Sequence, residues 1–190
     1  MGNNVSAAKP KTGGAVSVAA QGTTLPTDAV TSLAAAFTQL GYISDSGLTN
    51  SNSINTDTVK AWGGDEVLVT YNGREVSFKF ELLEATNVNV LKQLYGAANV
   101  TGSLSDGIAV TAKSNIELPE QVYAIDMILK DNAVKRIVIP AGRITDLSDV
   151  TYTDNDAIGY EVTITAIPDS NGNTHYEYIK ATGATGGTNG

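Results

Sequence analysis

Three strand-like segments follow one another between Pro119 and Pro168, and nothing else in the chain narrows its fold as much. Residues 121–130, 134–140 and 158–167 are dense in β-branched and aromatic side chains, which pack well on a pleated surface. Asp131-Asn132 fits a tight turn between the first two, and the acidic, polar run from Thr145 to Asp156 links the second to the third. Consecutive antiparallel strands make a rigid, two-faced surface. None of the three carries a recognisable reactive group, so the pattern predicts a chain built to present sheet rather than to do chemistry.

Other segments extend the same reading. Residues 15–19 suit a first strand, Thr27-Asp28 caps a short helical or irregular turn over 29–36, and 37–43 returns to an extended form. Residues 44–57 are Ser, Asn and Asp rich and read as a long polar loop, of the kind that tends to be functional or disordered. Strands resume over 58–62 and 66–71. Asn72-Gly73 is then a strong hairpin signal, because both residues tolerate positive φ. It feeds 75–83, where Val76, Phe78, Phe80 and Leu82 share one face and Ser77, Lys79 and Glu81 the other. One helix follows: Asn87 caps it, Val88, Leu91, Leu94 and Tyr95 form its apolar stripe, and Gly96 closes it. Beyond it lie strand and turn from Gly107 onward and a last strand over 176–179. The prediction is a mainly β protein, a sandwich or small barrel of about eight strands with one flanking α-helix. Its domain spans 15–180, between a flexible arm at 1–14 and a disordered Gly/Thr-rich tail at 181–190.

Composition excludes several functions. A chain of 190 residues with 42% hydrophobic and 17% charged residues has enough apolar material for a core. Its net charge of −8 repels phosphate backbones, which argues against tight nucleic-acid binding. The absence of cysteine removes disulfides, thiolate catalysis and Cys-based metal sites. No apolar run approaches the roughly 20 residues needed to span a bilayer, and the start of the chain lacks a signal-peptide layout. Manufacture in the cytoplasm, without a membrane partner, is the expectation.

Candidate chemistry is sparse. His175, the only histidine, has Glu177 and Asp169 nearby, but no nucleophile or second metal ligand accompanies it; a polar turn residue entering the last strand explains it better. Asp169-Ser-Asn-Gly-Asn173 resembles the start of a calcium loop, yet the turn glycine comes too early and Lys180 stands where a bidentate Glu is needed. Asp154 and Asp156 sit in a polar connection and read as a solvated face. The start Met1-Gly-Asn-Asn-Val-Ser6 matches a myristoylation pattern without the second signal that stable anchoring needs. Asn4 and Asn99 head glycosylation sequons in form only. No catalytic residue, metal site or cofactor is predicted. Trp62, the only tryptophan, fits two readings equally: a core aromatic beside a glycine-rich turn, or an anchor for a neighbouring subunit.

Residues 40–49, then Ile54 to Trp62-Gly-Gly, then 78–85 resemble the major tail (tail tube) proteins of long-tailed, non-contractile bacteriophages. So do the hairpin 125–140 and the strand 159–169, and the likeness covers roughly residues 14–180, carried by the order and spacing of segments. The resemblance implies a sandwich or barrel subunit related to contractile-tail and type VI secretion tubes. It implies hexameric rings stacked into a hollow tube in the virion tail, through which DNA passes on ejection without specific binding. It implies contacts with tail-tip initiator, tape measure and tail terminator proteins. In such a tube a long loop and the terminal arms bridge rings; the matching segments here are 44–62, 1–14 and the Gly-rich tail, with Leu48, Thr49, Asn52, Ile54 and Trp62 as contact candidates. The acidic balance suits a lumen that must not grip a polyanion. Strand alternation makes Glu81, Asp126 and Glu161 the candidates for that surface.

Two other classes compete. A phage decoration or other β-sandwich binding module would usually expose several aromatics on one platform, whereas here one Trp accompanies eight scattered Tyr. An enzyme would have to rest on His175 and scattered carboxylates.

Overall fold

The computed structural model describes residues 4–11 and 13–182. Its strands, in chain order, are β1 (Lys9–Pro10), β2 (Val16–Ala20), β3 (Thr38–Gln39), β4 (Ile43–Lys60) and β5 (Glu66–Leu82). After helix α1 (Val88–Tyr95) come β6 (Val100–Ser103), β7 (Gly107–Val110), β8 (Gln121–Ile128), β9 (Val134–Leu147), β10 (Tyr160–Ala166) and β11 (Tyr176–Lys180). Nine of them form one sheet in the order β3-β2-β8-β9-β10-β5-β4, with β1 added to β8 and β11 to β9; β6 and β7 make a separate hairpin. Every ladder is antiparallel.

The β8–β9 hairpin is the centre of the molecule, and its turn is the one the sequence predicts. Asp131 and Asn132 both have φ near +57°. They are the central residues of a turn closed by the Ala133 N–H donating to the Lys130 carbonyl at 3.2 Å, the mirror-type geometry that matches strand twist. Each edge of the hairpin is covered by an interrupted strand. Along β8 run β1 and then β2, with Gly13 and Gly14 looping out between them at positive φ. Along β9 run β11 and β10, with the residues between them looping out opposite Pro140. Pro140 has no N–H to donate and sits at a register shift between β8 and β9, where a strand tolerates proline. The strand therefore continues through Leu147 instead of ending at 140 as predicted.

Alternation sorts the side chains of this sheet. Val16, Tyr123, Ile125 and Ile139 from one half meet Phe78, Phe80, Leu82 and Ile164 from the other in a single buried cluster. Each such side chain stabilises the fold by about 1.5–3 kcal/mol through its burial. Helix α1 closes the cluster with Val90, Leu91 and Leu94. Its cap is Asn87, whose Oδ1 accepts from the Asn89 N–H at 2.9 Å, and Gly96 ends it at φ +84°. Glu84 ties this cap to the sheet, accepting from Asn87 Nδ2 at 2.8 Å and from the Tyr42 N–H at 3.1 Å. That carboxylate lies over Gly41, where a Cβ would stand 2.0 Å from it. The result is the mainly β, sandwich-like architecture with one flanking helix.

The second face of the central strands is also covered. Val122, Ala124 and Val138 are buried there although they point away from the main cluster. Segment 23–37 crosses this face, and the turn that Thr27-Asp28 is expected to cap takes its irregular form rather than the helical one. Asp28 organises it: its carboxylate accepts from the Val30 and Thr31 N–H groups at 2.7 and 2.6 Å and from the Thr31 hydroxyl at 2.5 Å.

Residues 43–60 correct the largest expectation. They are strand, not a polar loop, and pair with β5 at Ile43 and again from Leu48 to Lys60, with an irregularity at 44–47. The hairpin turn lies at Ala61–Asp65, where the Ala61 N–H donates to the Asp65 carbonyl at 2.8 Å. Asn72-Gly73 is instead a bulge: Ile54 faces Arg74 and Thr56 faces Tyr71, leaving two residues of β5 opposite Asn55. A bulge satisfies the positive φ of Gly73 (+111°) as well as a turn would. It also keeps strand partners on both sides of Asn55 for the backbone of 48–60, which a turn at 72–73 would deny it.

Candidate assembly surfaces

Beyond Asn50 the β4–β5 hairpin leaves the body of the protein. From Asn50 to Lys60 it rises about 33 Å at the usual strand spacing. No residue of β4 from Thr49 to Lys60 is buried, nor any of β5 from Glu66 to Glu75. The composition of this ribbon does not match that exposure. Ile54, Val59, Val67, Leu68, Val69 and Tyr71 are each at least half exposed, and Trp62 at the tip is completely so (107%). The core-aromatic reading of Trp62 is thus overturned. Trp62 and Gly63 are the central residues of the turn that the Gly64 N–H closes on the Ala61 carbonyl at 3.0 Å, with Gly63 at φ +121°. Such a turn pushes its second residue outward.

The predicted contact residues are spread along this element. Leu48, at the root, is partly buried against the core and lines an open cavity of about 460 Å³ with Ile43, Ile125, Met127 and Ile137. Thr49, Asn52 and Ile54 are exposed on the ribbon. Sequence reading missed Val67, Leu68, Val69 and Tyr71, because a run of alternating β-formers looks like core until a buried partner is sought and not found.

Glu81 and Glu161 stand directly opposite each other on β5 and β10. They lie on the outward face with Ser77, Lys79, Thr163 and Thr165, since the alternate residues fill the core. Lys79 Nζ lies 2.8 Å from Glu161 Oε1, and the Ser148 hydroxyl donates to the same oxygen at 2.6 Å. These bonds, Lys79 first, hold the Glu161 carboxyl below its ordinary pKa. The face is polar and partly neutralised rather than uniformly acidic.

Asp126 is not on it. It is buried beside Arg136, which is 1% exposed. Nε and one terminal nitrogen of the guanidinium donate to the two carboxylate oxygens at 2.6 and 2.9 Å. The other terminal nitrogen donates to the Asp28 and Thr31 carbonyls at 3.0 and 2.8 Å, pinning segment 23–37 to the sheet. Lys11 adds a longer contact at 3.4 Å. Alternation put Asp126 on the correct face of β8; that face is covered by protein, so Asp126 is withdrawn as a lumen residue. The available signal was Arg136, placed as far after Asp131 as Asp126 lies before it.

His175 packs edge-on against Phe78, with ring centroids 5.3 Å apart, and its Nδ1 lies 3.1 Å from the Thr174 hydroxyl. Burial is the main cause holding its pKa below the ordinary value. Asp169 accepts from the Asn171 and Asn173 N–H groups at 2.8 and 3.0 Å and from the Tyr176 hydroxyl at 2.5 Å, so it builds the loop between β10 and β11. No cluster of metal-ligating side chains occurs among the described residues.

A β-rich body with a projecting, apolar, unpartnered ribbon is the form of a structural subunit. The model of the phage tail tube protein family matches residues 1–187, and the chain belongs to that family. It is therefore a structural protein of the phage tail that assembles into the tail tube. No curated protein sequence matches the chain.

Proposed function

We propose that six copies of this chain close into a ring and that rings stack into a hollow tube through which DNA leaves the capsid. The observation that carries this reading is the ribbon. A two-stranded hairpin is marginal in water by itself, and here it also exposes most of its large apolar side chains. Burial against other copies is what stabilises it. Open strand edges support the reading further, since ring closure uses edges that would otherwise invite aggregation. The six-fold ring itself comes from the tail tube resemblance. In this arrangement the ribbon, with Thr49, Asn52, Ile54 and Trp62, bridges rings while Leu48 anchors its root. The N-terminal segment 1–14 assists; its residues 9–10 already pair with β8. The Gly-rich tail proposed for the same role lies outside the described residues from 183 onward. Tail-tip initiator, tape measure and terminator proteins set where the tube begins, how long it grows and where it stops.

The outward face of β5 and β10 lines the lumen in this reading. Its Thr and Ser hydroxyls hydrate the wall, and Glu81 with Glu161 repels the passing polyanion while Lys79 tempers the field. Electron microscopy of the purified protein over a concentration range tests the assembly: rings or tubes with six-fold end views are expected, and monomers at every concentration and in the presence of the initiator contradict it. Particles carrying Glu81→Lys and Glu161→Lys are expected to assemble but to eject DNA more slowly. Unchanged ejection would remove these residues from the wall.

A further inference from the structure

The tube reading leaves open how many neighbours one ribbon touches. The register of β4 and β5 answers this through the side chains it places on each face. Thr56 stands opposite Tyr71 and Thr58 opposite Val69, with Ile54 on the same face. Val59 stands opposite Leu68 on the other, beside Asp57 and Asn72, whose side chains are bonded at 3.0 Å. Directly paired residues share a face, and neighbours in sequence do not. The exposed apolar residues therefore divide between both faces: Ile54, Val69 and Tyr71 on one, Val59 and Leu68 on the other.

A hairpin that docks flat on a single partner shows a different pattern. It keeps one apolar face toward the partner and one polar face toward water, as β5 does between Ser77 and Leu82 within this same chain. The ribbon departs from that pattern where it leaves the body. Its edges are also open: β4 ends the sheet, and β10 pairs with β5 only from Ser77 onward.

We infer that each ribbon is the middle layer of a three-layer contact, with one face against one copy of this chain and the opposite face against a second. The inference rests on the tube reading and adds to it a definite stoichiometry, two receiving copies per ribbon. Covering one face alone would leave the other's apolar side chains in water. A third layer on the far side removes both sets at the ordinary sheet spacing of about 10 Å.

The chain has no cysteine, so single cysteines can be labelled selectively. Leu68→Cys and Val69→Cys, separately and together, are coupled to a benzophenone maleimide. Each labelled protein is then assembled with a large excess of wild-type subunits, so that its neighbours carry no label. After irradiation, singly labelled subunits are expected in covalent dimers. Doubly labelled subunits are expected in trimers, with the two sites joined to different copies. Dimers alone from the doubly labelled protein, in verified tubes, overturn the inference and leave the tube reading intact. Should either substitution prevent co-assembly, Thr70→Cys and Thr58→Cys probe the same two faces through polar positions. Wild-type protein that forms no tubes under any condition overturns the tube reading itself, and the inference with it.

Discussion

Two long hairpins in this chain are built from similar residues and end in opposite circumstances. In β8–β9 both edges are paired, by β1 and β2 on one side and by β11 and β10 on the other, and both faces are covered. Even an ion pair in it, Asp126 with Arg136, is enclosed. In the distal part of β4–β5 neither edge is paired and neither face is covered. Both contain Val, Ile and Tyr in alternating runs, so propensity alone does not separate them. The difference is completion. One hairpin finds all its partners within the subunit and holds the fold; the other finds only itself and, in the assembly proposed above, is completed by other copies. Stability and assembly are therefore assigned to separate elements, and variants should divide accordingly.

The largest expected effect comes from removing the ribbon. Replacing residues 56–71 with a two-residue Asn-Gly turn should leave a folded monomer, because nothing in that stretch contributes to the buried cluster. Tubes should be abolished. Circular dichroism and electron microscopy read the two outcomes, and loss of folding would show that the division between the hairpins is false. Next comes Asp126→Ala in the other hairpin. It leaves the Arg136 guanidinium buried without its carboxylate, which costs about 3–5 kcal/mol. Urea unfolding measures this, and Val69→Ser in the ribbon should change stability by only about 0.5 kcal/mol. Equal costs at the two sites would remove the distinction.

A smaller effect concerns segment 23–37, which completes the covered face of β8–β9. Hydrogen bonds from Thr31 and Val30, the Thr31 side chain first, lower the Asp28 pKa from 3.8 to about 2. A depressed carboxylate stabilises the folded form above its unfolded pKa, and that contribution is lost as pH falls through the folded value. Unfolding followed between pH 4 and about pH 2 should therefore steepen with acid in the wild type and less so in Asp28→Asn. Parallel curves would show that this turn does not depend on the charge.

How far the sequence revealed this plan follows from the same contrast. The β8–β9 turn was legible because Asp131-Asn132 tolerates positive φ between two strongly apolar runs, and α1 because its cap, stripe and closing glycine agree. Residues 44–57 were misread because Ser, Asn and Asp favour turns locally, whereas here a β-branched partner strand supplies their backbone bonds. Asn72-Gly73 misled for a related reason: positive φ serves a bulge as well as a turn, and only the register decides between them. Asp126 was misjudged because alternation gives a side chain's direction without saying what covers that side. The sequence left Trp62 open between a core aromatic and an anchor for a neighbour, because its exposure depends on where Ala61–Asp65 turns the chain.

Trp62 also gives the most direct test of the central claim, that the ribbon is completed only by assembly. It is the sole tryptophan, so its fluorescence reports the tip alone. In free subunits the emission should be that of a water-exposed indole, accessible to iodide. In tubes verified by electron microscopy it should shift to the blue, and quenching should fall. Unchanged emission and quenching on passing from subunit to tube would mean that the tip meets no neighbour, and would contradict the account.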